Sequence, residues 1–298
     1  MEDAMLKKYL TALLIGATAF SFSLSSTEEQ RYFEPYEMAF IKTEWQIDHD
    51  LFTLHVIPKC GTHFIQHTLH LMTGQASINQ DISLQNLTKA CNTNKILRTF
   101  QPYDDKLCKA LKKYQHKLIS VIRDPRDALI SHLFYMRSFA ERKVENNQRR
   151  DFFVVDKNFD SLSLQEQLDS LIYGTKEGMS YLDFYKSRIG WALNSASLVI
   201  KYEELLGKEG GGNNKKQKKT IDKIASFIQL DLSSEQQQYV LANMYKETGE
   251  QQVEEGKVFT RATKGNWRTF LSEKQKRSIK KKLGKEMILL GYEKDLNW

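Results

Sequence analysis

The chain has 298 residues, 41% hydrophobic and 27% charged, which excludes a disordered or fibrous chain and fits a soluble α/β core. Its 44 Lys and Arg against 37 Asp and Glu leave +7, a balance that suits acidic ligands such as phosphorylated nucleotides, polyanions or anionic membranes. Much of that excess sits in residues 215–219 and 274–285, which read as solvated faces, so no nucleic-acid partner is implied.

Lys7 and Lys8 precede an apolar or small-residue run over 9–22, and Ala17-Thr18-Ala19 has the small-x-small form of a cleavage site. Residues 1–26 therefore read as a signal peptide or signal anchor, and 27–298 as one domain. The run is short for a span of about 20 residues, which favours the peptide. Glu2 and Asp3 are awkward in a basic leader, and a start at Met5 would remove them. The expected location is exported or membrane-associated through this segment, or cytoplasmic if the segment is not used. Export would allow Cys91 to pair with Cys108, leaving Cys60 free; the alternative is three thiols. No C-x-x-C pair or His/Cys cluster at ligand spacing occurs, so no metal site is expected.

Residues 27–50 read as an irregular entry segment and 51–58 as the first strand. Phe64, Ile65, Leu69 and Met72 recur at helical spacing over 62–72, with Gly74 as the stop. Residues 79–94 read as polar connection with a helix near 84–90, 96–100 as a short strand and 104–114 as a helix. A second strand over 117–122 leads through Arg123-Asp124-Pro125-Arg126-Asp127 into a helix over 128–137, with Pro125 suited to a first turn. Ser163 and Glu166 form a capping box, a longer helix follows over 179–193, and 198–202 is a third strand. Residues 208–219, KEGGGNNKKQKK, are expected to be a surface loop that buries nothing. Helices follow over 220–227, 234–246 and 273–290, the last opened by a Ser272–Gln275 capping box. Strand, polar turn and helix in succession imply an α/β fold, a central parallel sheet flanked by helices.

The chain is organised around residues 54–64, LHVIPKCGTHF, where an apolar strand meets an amphipathic helix through a turn containing lysine. A helix starting there presents unpaired N–H groups and the positive end of its dipole, an anion site to which Lys59 adds a full charge. One glycine with the lysine inside the turn is not a Walker loop, which needs G-x-x-x-x-G-K-[ST]. In the second strand-to-helix turn, Arg123 closes the strand and Ser131 lies eight residues on along the helix. An arginine fork can take two phosphate oxygens there while a serine hydroxyl is offered from the same side.

Pro58-Lys59-Cys60-Gly61-Thr62-His63-Phe64 resembles the 5′-phosphosulfate loop of sulfotransferases, usually Pro-Lys-Ser-Gly-Thr-Thr-Trp. Residues 121–131, VIRDPRDALIS, resemble that family's 3′-phosphate motif, and Lys201-Tyr202-Glu203-Glu204 its strand-end Tyr-Glu-Asp, whose tyrosine contacts adenine. Residues 259–268, FTRATKGNWR, are similar to its closing Arg-Lys-Gly-x-x-Gly-Asp-Trp-Lys segment. Counting back from Gly265 places Thr260, Arg261 and Ala262 at the Arg, Lys and Gly positions. The four pieces fall in family order.

The resemblance implies 3′-phosphoadenosine 5′-phosphosulfate (PAPS) as donor, with no metal, and a hydroxyl or amine acceptor on a small molecule, glycan or peptide. It implies a donor site of Lys59, Cys60, Gly61, Thr62, His63, Phe64, Arg123, Ser131, Tyr202, Arg261 and Ala262. Phe64 is expected to stack on adenine and Lys59 to carry catalysis by placing positive charge at the departing phosphate oxygen. The family's general base is usually a histidine just before the 3′-phosphate strand, and Phe100 stands at that place in Leu97-Arg98-Thr99-Phe100-Gln101-Pro102-Tyr103. His63, His132 or a carboxylate elsewhere is then the base, whereas His55, His67, His70 and His116 read as core or surface residues. Two rival functions are a pseudoenzyme that binds PAPS or its product without efficient turnover, and an atypical phosphotransferase. Residues 138–160 are a candidate lid over the acceptor.

Overall fold

The computed structural model of the chain describes residues 49–75, 77–92, 96–141, 159–176, 178–245 and 264–298. The expected signal segment, most of the entry segment and most of the candidate lid lie outside the described residues. Among the described residues no helix is long and apolar enough to cross a membrane.

Among the described residues, five strands form one parallel sheet in the order β2-β3-β1-β4-β5, with β1 Phe52–Val56, β2 Ser77–Asp81, β3 Ile96–Thr99, β4 Lys117–Ile122 and β5 Ser197–Lys201. β1 lies in the middle and is buried along its whole length, as its apolar run requires when helices cover both faces. β2 corrects the expectation of a polar connection over 79–94. It is an edge strand with the polar sequence SINQD, and its pairing to β3 shifts register between Ser77–Ile96 and Asp81–Arg98. An edge strand pairs on one side only and tolerates polar residues, which hides it from a search for apolar alternation.

Among the described residues the helices are α1 Thr62–Thr73, α2 Leu87–Cys91, α3 Asp105–Lys113, α4 Pro125–Glu141, α5 Leu164–Tyr173, α6 Tyr181–Lys186, α7 Gly190–Leu193, α8 Tyr202–Leu205, α9 Asn214–Phe227, α10 Ser234–Asn243, α11 Trp267–Phe270 and α12 Glu273–Leu289. Both capping boxes expected at Ser163 and Ser272 are formed. The helix expected over 179–193 is two helices, α6 and α7, separated at Ser187–Ile189, where Arg188 and Ile189 hydrogen-bond as turns.

Residues 208–219 also differ from expectation. A 3-10 turn at Lys208–Gly210 runs into α9, whose N-cap Asn213 accepts from the N–H groups of Lys215 and Lys216. Gln217 is buried and its Nε2 donates to the Leu205 oxygen. The composition concealed a capped helix start because its exposed lysines outnumber the one side chain that packs.

One face of the sheet packs Phe52, Leu54, Val56, Ile119 and Val121 into the larger core. The other carries Leu97 and Leu118 with Trp191 in a smaller cluster. On that second face Thr53 meets His116 Nδ1 and His55 Nδ1 meets Ser120 Oγ, each at 3.1 Å, and Trp191 stacks on the His55 ring. Burial holds His55 well below its ordinary pKa, with the Arg188 charge adding to the effect. His55 and His116 are thus core residues, each paired through Nδ1. Cys60, Cys91 and Cys108 are free thiols; Cys108 accepts from Asn194 Nδ2 and is not bonded to Cys91.

Candidate active site

The turn after β1 is built by its backbone. Cys60 N–H donates to the Ile57 oxygen at 2.9 Å, Pro58 sits at the second position and Lys59 has φ 72°. That is the form of a type II turn, in which proline is preset and the third residue must adopt a positive φ. A lysine there costs about 1–2 kcal/mol, strain of the kind held at functional sites. Tyr181 Oη fixes the turn by donating to the Pro58 oxygen at 2.8 Å.

Gly61 follows at φ 91° as the N-cap of α1, with no side-chain cap and no acidic residue in the first turn. A Cβ on Gly61 would stand 2.4 Å from the Tyr202 ring, so both conformation and space demand glycine. The opening of α1, without a side-chain cap or an acidic residue, therefore presents the positive end of a 12-residue helix, which suits an anion. Thr62 is half-buried and His63 exposed on this first turn, while Phe64 points inward. The Cys60 side chain is fully buried, and burial pushes its thiol well up, so it stays protonated.

Lys59 is half-buried with Nζ over the Tyr135 ring, 4.0 Å from its centroid. Burial lowers its pKa to about 8, with the Arg123 charge acting in the same direction. Tyr135 lies one helical turn beyond Ser131 on α4, so the spacing that proposed Ser131 could have found it as well.

Arg123 closes β4 and is buried. Its Nη1 donates to the Lys59 oxygen at 3.2 Å, and its guanidinium lies 4.8 Å from the Tyr202 ring centroid. Tyr185 Oη donates to the Arg123 oxygen at 2.6 Å. Glu203 at the end of β5 accepts from the N–H of Asp124 at 2.8 Å and from Tyr292 Oη at 3.2 Å. The two strand-to-helix turns and the end of β5 therefore meet at one place, which brings together Lys59, Gly61, Arg123 and Tyr202. Ser131 is half-buried, two turns along α4. Phe64 packs against Tyr202 and Tyr245, with centroids at 6.1 and 5.0 Å.

Arg261 and Ala262 lie outside the described residues, but the segment that follows them is anchored at this site. Asp127 on α4 accepts from Gly265 N–H at 2.5 Å and from Trp267 N–H at 3.1 Å. Arg126 is gripped by Asp124 and Glu293 and lies between the Trp267 and Trp298 rings, at 4.0 and 4.4 Å. In the sequence, the place of Asp127 two residues after Pro125, in a first helical turn, is the local signal for this role.

His132 is completely buried and stacks on Tyr181, centroids 4.5 Å apart and planes 18° apart. Burial, and then the Lys59 charge, pull its pKa down to about 3, so the ring is neutral and a weak base. Phe100 is buried at the end of β3, where its N–H donates to Asp81 Oδ1 at 2.7 Å and its oxygen accepts from Arg188 Nε at 2.6 Å.

In comparisons with known proteins, the sulfotransferase domain family matches residues 49–291. The fold is similar to mouse sulfotransferase SULT7A1 complexed with PAP, at 19% identity and TM-score 0.57, covering 89% of this chain and 90% of that one. It is also similar to retinol dehydratase in a complex with retinol and PAP, at 13% identity and TM-score 0.51, covering 88% and 86%. Retinol dehydratase with androsterone and the inactive cofactor PAP aligns at 13% identity and TM-score 0.50, covering 79% and 80%. A search of curated protein sequences gives no match.

Proposed function

The chain belongs to the sulfotransferase family, and from that premise we propose that it transfers a sulfuryl group from PAPS to a hydroxyl or amine acceptor, releasing adenosine 3′,5′-bisphosphate. The observation that carries this reading is the meeting of two anion-seeking turns, with the start of α1, which has no side-chain cap, and Lys59 on one side and Arg123 on the other. A donor with phosphates at both 5′ and 3′ positions needs two such places a nucleoside apart. The PAP-bound neighbours are consistent with it.

The residues present fit that donor. The α1 amides, Lys59 and Thr62 would hold the 5′ end, where charge develops on the departing oxygen as sulfuryl leaves. Arg123 and Ser131 would hold the 3′-phosphate, and the Phe64–Tyr202–Tyr245 aromatic group would border the adenine. Lys59 would bring a mostly protonated ammonium at neutral pH and, being released from Tyr135, would turn toward the leaving oxygen. The segment anchored by Asp127 would close over the 3′ end.

A binding-only reading draws on Phe100 standing where the family has its histidine base. Two experiments separate the readings. Binding of adenosine 3′,5′-bisphosphate, followed by calorimetry, is expected under both; transfer of labelled sulfate to an acceptor panel is expected only under the first. Absence of bisphosphate binding would overturn both and leave the phosphotransferase.

A further inference from the structure

We infer that Asp81 is the general base toward the acceptor hydroxyl, an inference that rests on the sulfuryl-transfer reading above and supplies the proton acceptor that Phe100 cannot be.

The first ground is position. Asp81 is the last residue of β2 and pairs with Arg98, Thr99 of β3 pairs with His55, and β1 runs on into the Lys59 turn. Parallel strands end on the same edge, so Asp81, Phe100 and Lys59 follow the ends of three consecutive strands. At about 4.8 Å per strand, β2 lies roughly 10 Å from β1, so Asp81 and the Lys59 turn stand on one edge of the sheet with the end of β3 between them.

The second ground is contact. Asp81 Oδ1 accepts from the N–H of Phe100, the residue at the expected histidine place, and Oδ2 accepts from Gln101 Nε2 at 2.9 Å. These two bonds orient the carboxylate and leave lone pairs on both oxygens for a third partner. The charges facing it are Arg98 from β3 and Arg188 from the turn between α6 and α7. Arg98 lies over the Phe100 ring at 4.5 Å and reaches Gln66 on α1 at 3.4 Å, which ties the carboxylate's surroundings to the helix that opens at the phosphate loop.

The third ground is chemistry. Two N–H donors and two arginines would ordinarily hold a carboxyl below its usual range, yet burial outweighs them and raises Asp81 to about 6. A group with that pKa is ionised at neutral pH and still accepts a proton readily. The rivals are poorer: His132 has been pulled to about 3, and His63 is exposed on the donor side, on the first turn of α1. In the transfer, the acceptor oxygen forms the new O–S bond while the bond from sulfur to the 5′-phosphate oxygen breaks. The electron pair of that bond leaves with the phosphate oxygen. Asp81 takes the hydroxyl proton, becomes neutral and returns the proton to water.

The test is the pH profile of transfer to a phenol by wild type, Asp81→Asn, Asp81→Glu and Asp81→Ala, with bisphosphate binding measured on each. Wild-type kcat/KM should fall tenfold per pH unit below about 6, and the Asp81 carboxyl carbon should titrate at that pH by NMR in the unliganded protein. Asp81→Asn should lose about 10²–10⁴ in kcat and its acid limb, with bisphosphate affinity within threefold. Asp81→Glu should retain part of the rate, and formate should restore turnover to Asp81→Ala, which a purely structural role would not allow. Asp81→Asn transferring within threefold of wild type with the acid limb unchanged would overturn the inference while leaving the transferase reading intact. If Asp81→Asn fails to fold, a wild-type acid limb absent from pH 5 to 7 overturns it equally. A wild type that binds bisphosphate but transfers to no acceptor removes the transferase reading and the inference with it.

Discussion

Arg123 Nη1 donates to the main-chain oxygen of Lys59, so these two cationic residues are joined through a backbone carbonyl at 3.2 Å. The bond fixes the strained turn and holds two like charges near each other before any anion arrives. Part of the result is the lowered pKa of Lys59, to which Arg123 contributes after burial. The fold therefore stores electrostatic cost that an anionic ligand relieves, which is preorganisation in the catalytic sense.

The first prediction concerns that cost. The pKa of Lys59 is about 8 folded against an ordinary 10.5, so its charged form is disfavoured by folding. The penalty is fully present below pH 8 and fades as pH rises from 8 toward the unfolded value. Lys59→Met should raise the melting temperature at pH 7 by about 2–4 °C, an advantage that vanishes near pH 10. The wild-type kcat/KM should in turn decline above pH 8 as the ammonium is lost. Thermal scans across pH and a rate profile check both; an unchanged or lower midpoint for Lys59→Met at pH 7 would contradict the account.

Arg123 should discriminate nucleotides. Arg123→Ala should weaken adenosine 3′,5′-bisphosphate binding by about 10–100-fold, the cost of losing charge-assisted bonds. Binding of adenosine 5′-phosphate should change less than threefold. Calorimetry with the two ligands decides, and equal losses would dissociate Arg123 from the 3′-phosphate.

Asp127 should govern the segment that begins at Gly265. Asp127→Ala leaves the Gly265 and Trp267 N–H groups without their carboxylate, at a cost of about 2–4 kcal/mol. Hydrogen exchange at these two amides should accelerate and bisphosphate should dissociate faster. Protection unchanged from wild type would show that the segment is held by the Arg126–Trp267–Trp298 stack alone.

Phe100→His should raise transfer less than about tenfold, because an added imidazole gains little where another base already acts. Initial rates on a simple phenol measure this. A gain of a hundredfold or more would mean that proton removal was missing in the wild-type protein and would point to the binding-only reading.

The parts of this fold legible in the sequence were those where local pattern and tertiary role agree. β1 and β4 are mostly apolar and almost wholly buried, and Ser163 and Ser272 carry their own capping signals. β2 was not legible because an edge strand does not need apolar residues, and with it went Asp81, whose meaning depends on a neighbour 19 residues away. The start of α9 was hidden by lysines that are truly exposed, the cap at Asn213 being the only local clue. In the site, Lys59 and Arg123 could be placed by their turns, whereas Tyr181 and Tyr185 act through hydroxyls that reach across elements. No spacing rule exposes contacts of that range.

The most direct test of the central claim is transfer of sulfur label from PAPS to a panel of phenols, sterols, glycans and tyrosine peptides, run beside Lys59→Ala. The account predicts labelled product on at least one acceptor with wild type, and a loss of about 10²–10³ or more for Lys59→Ala with the fold intact. Labelled product from Lys59→Ala within threefold of wild type, or none from wild type on any acceptor while bisphosphate binds, would contradict it.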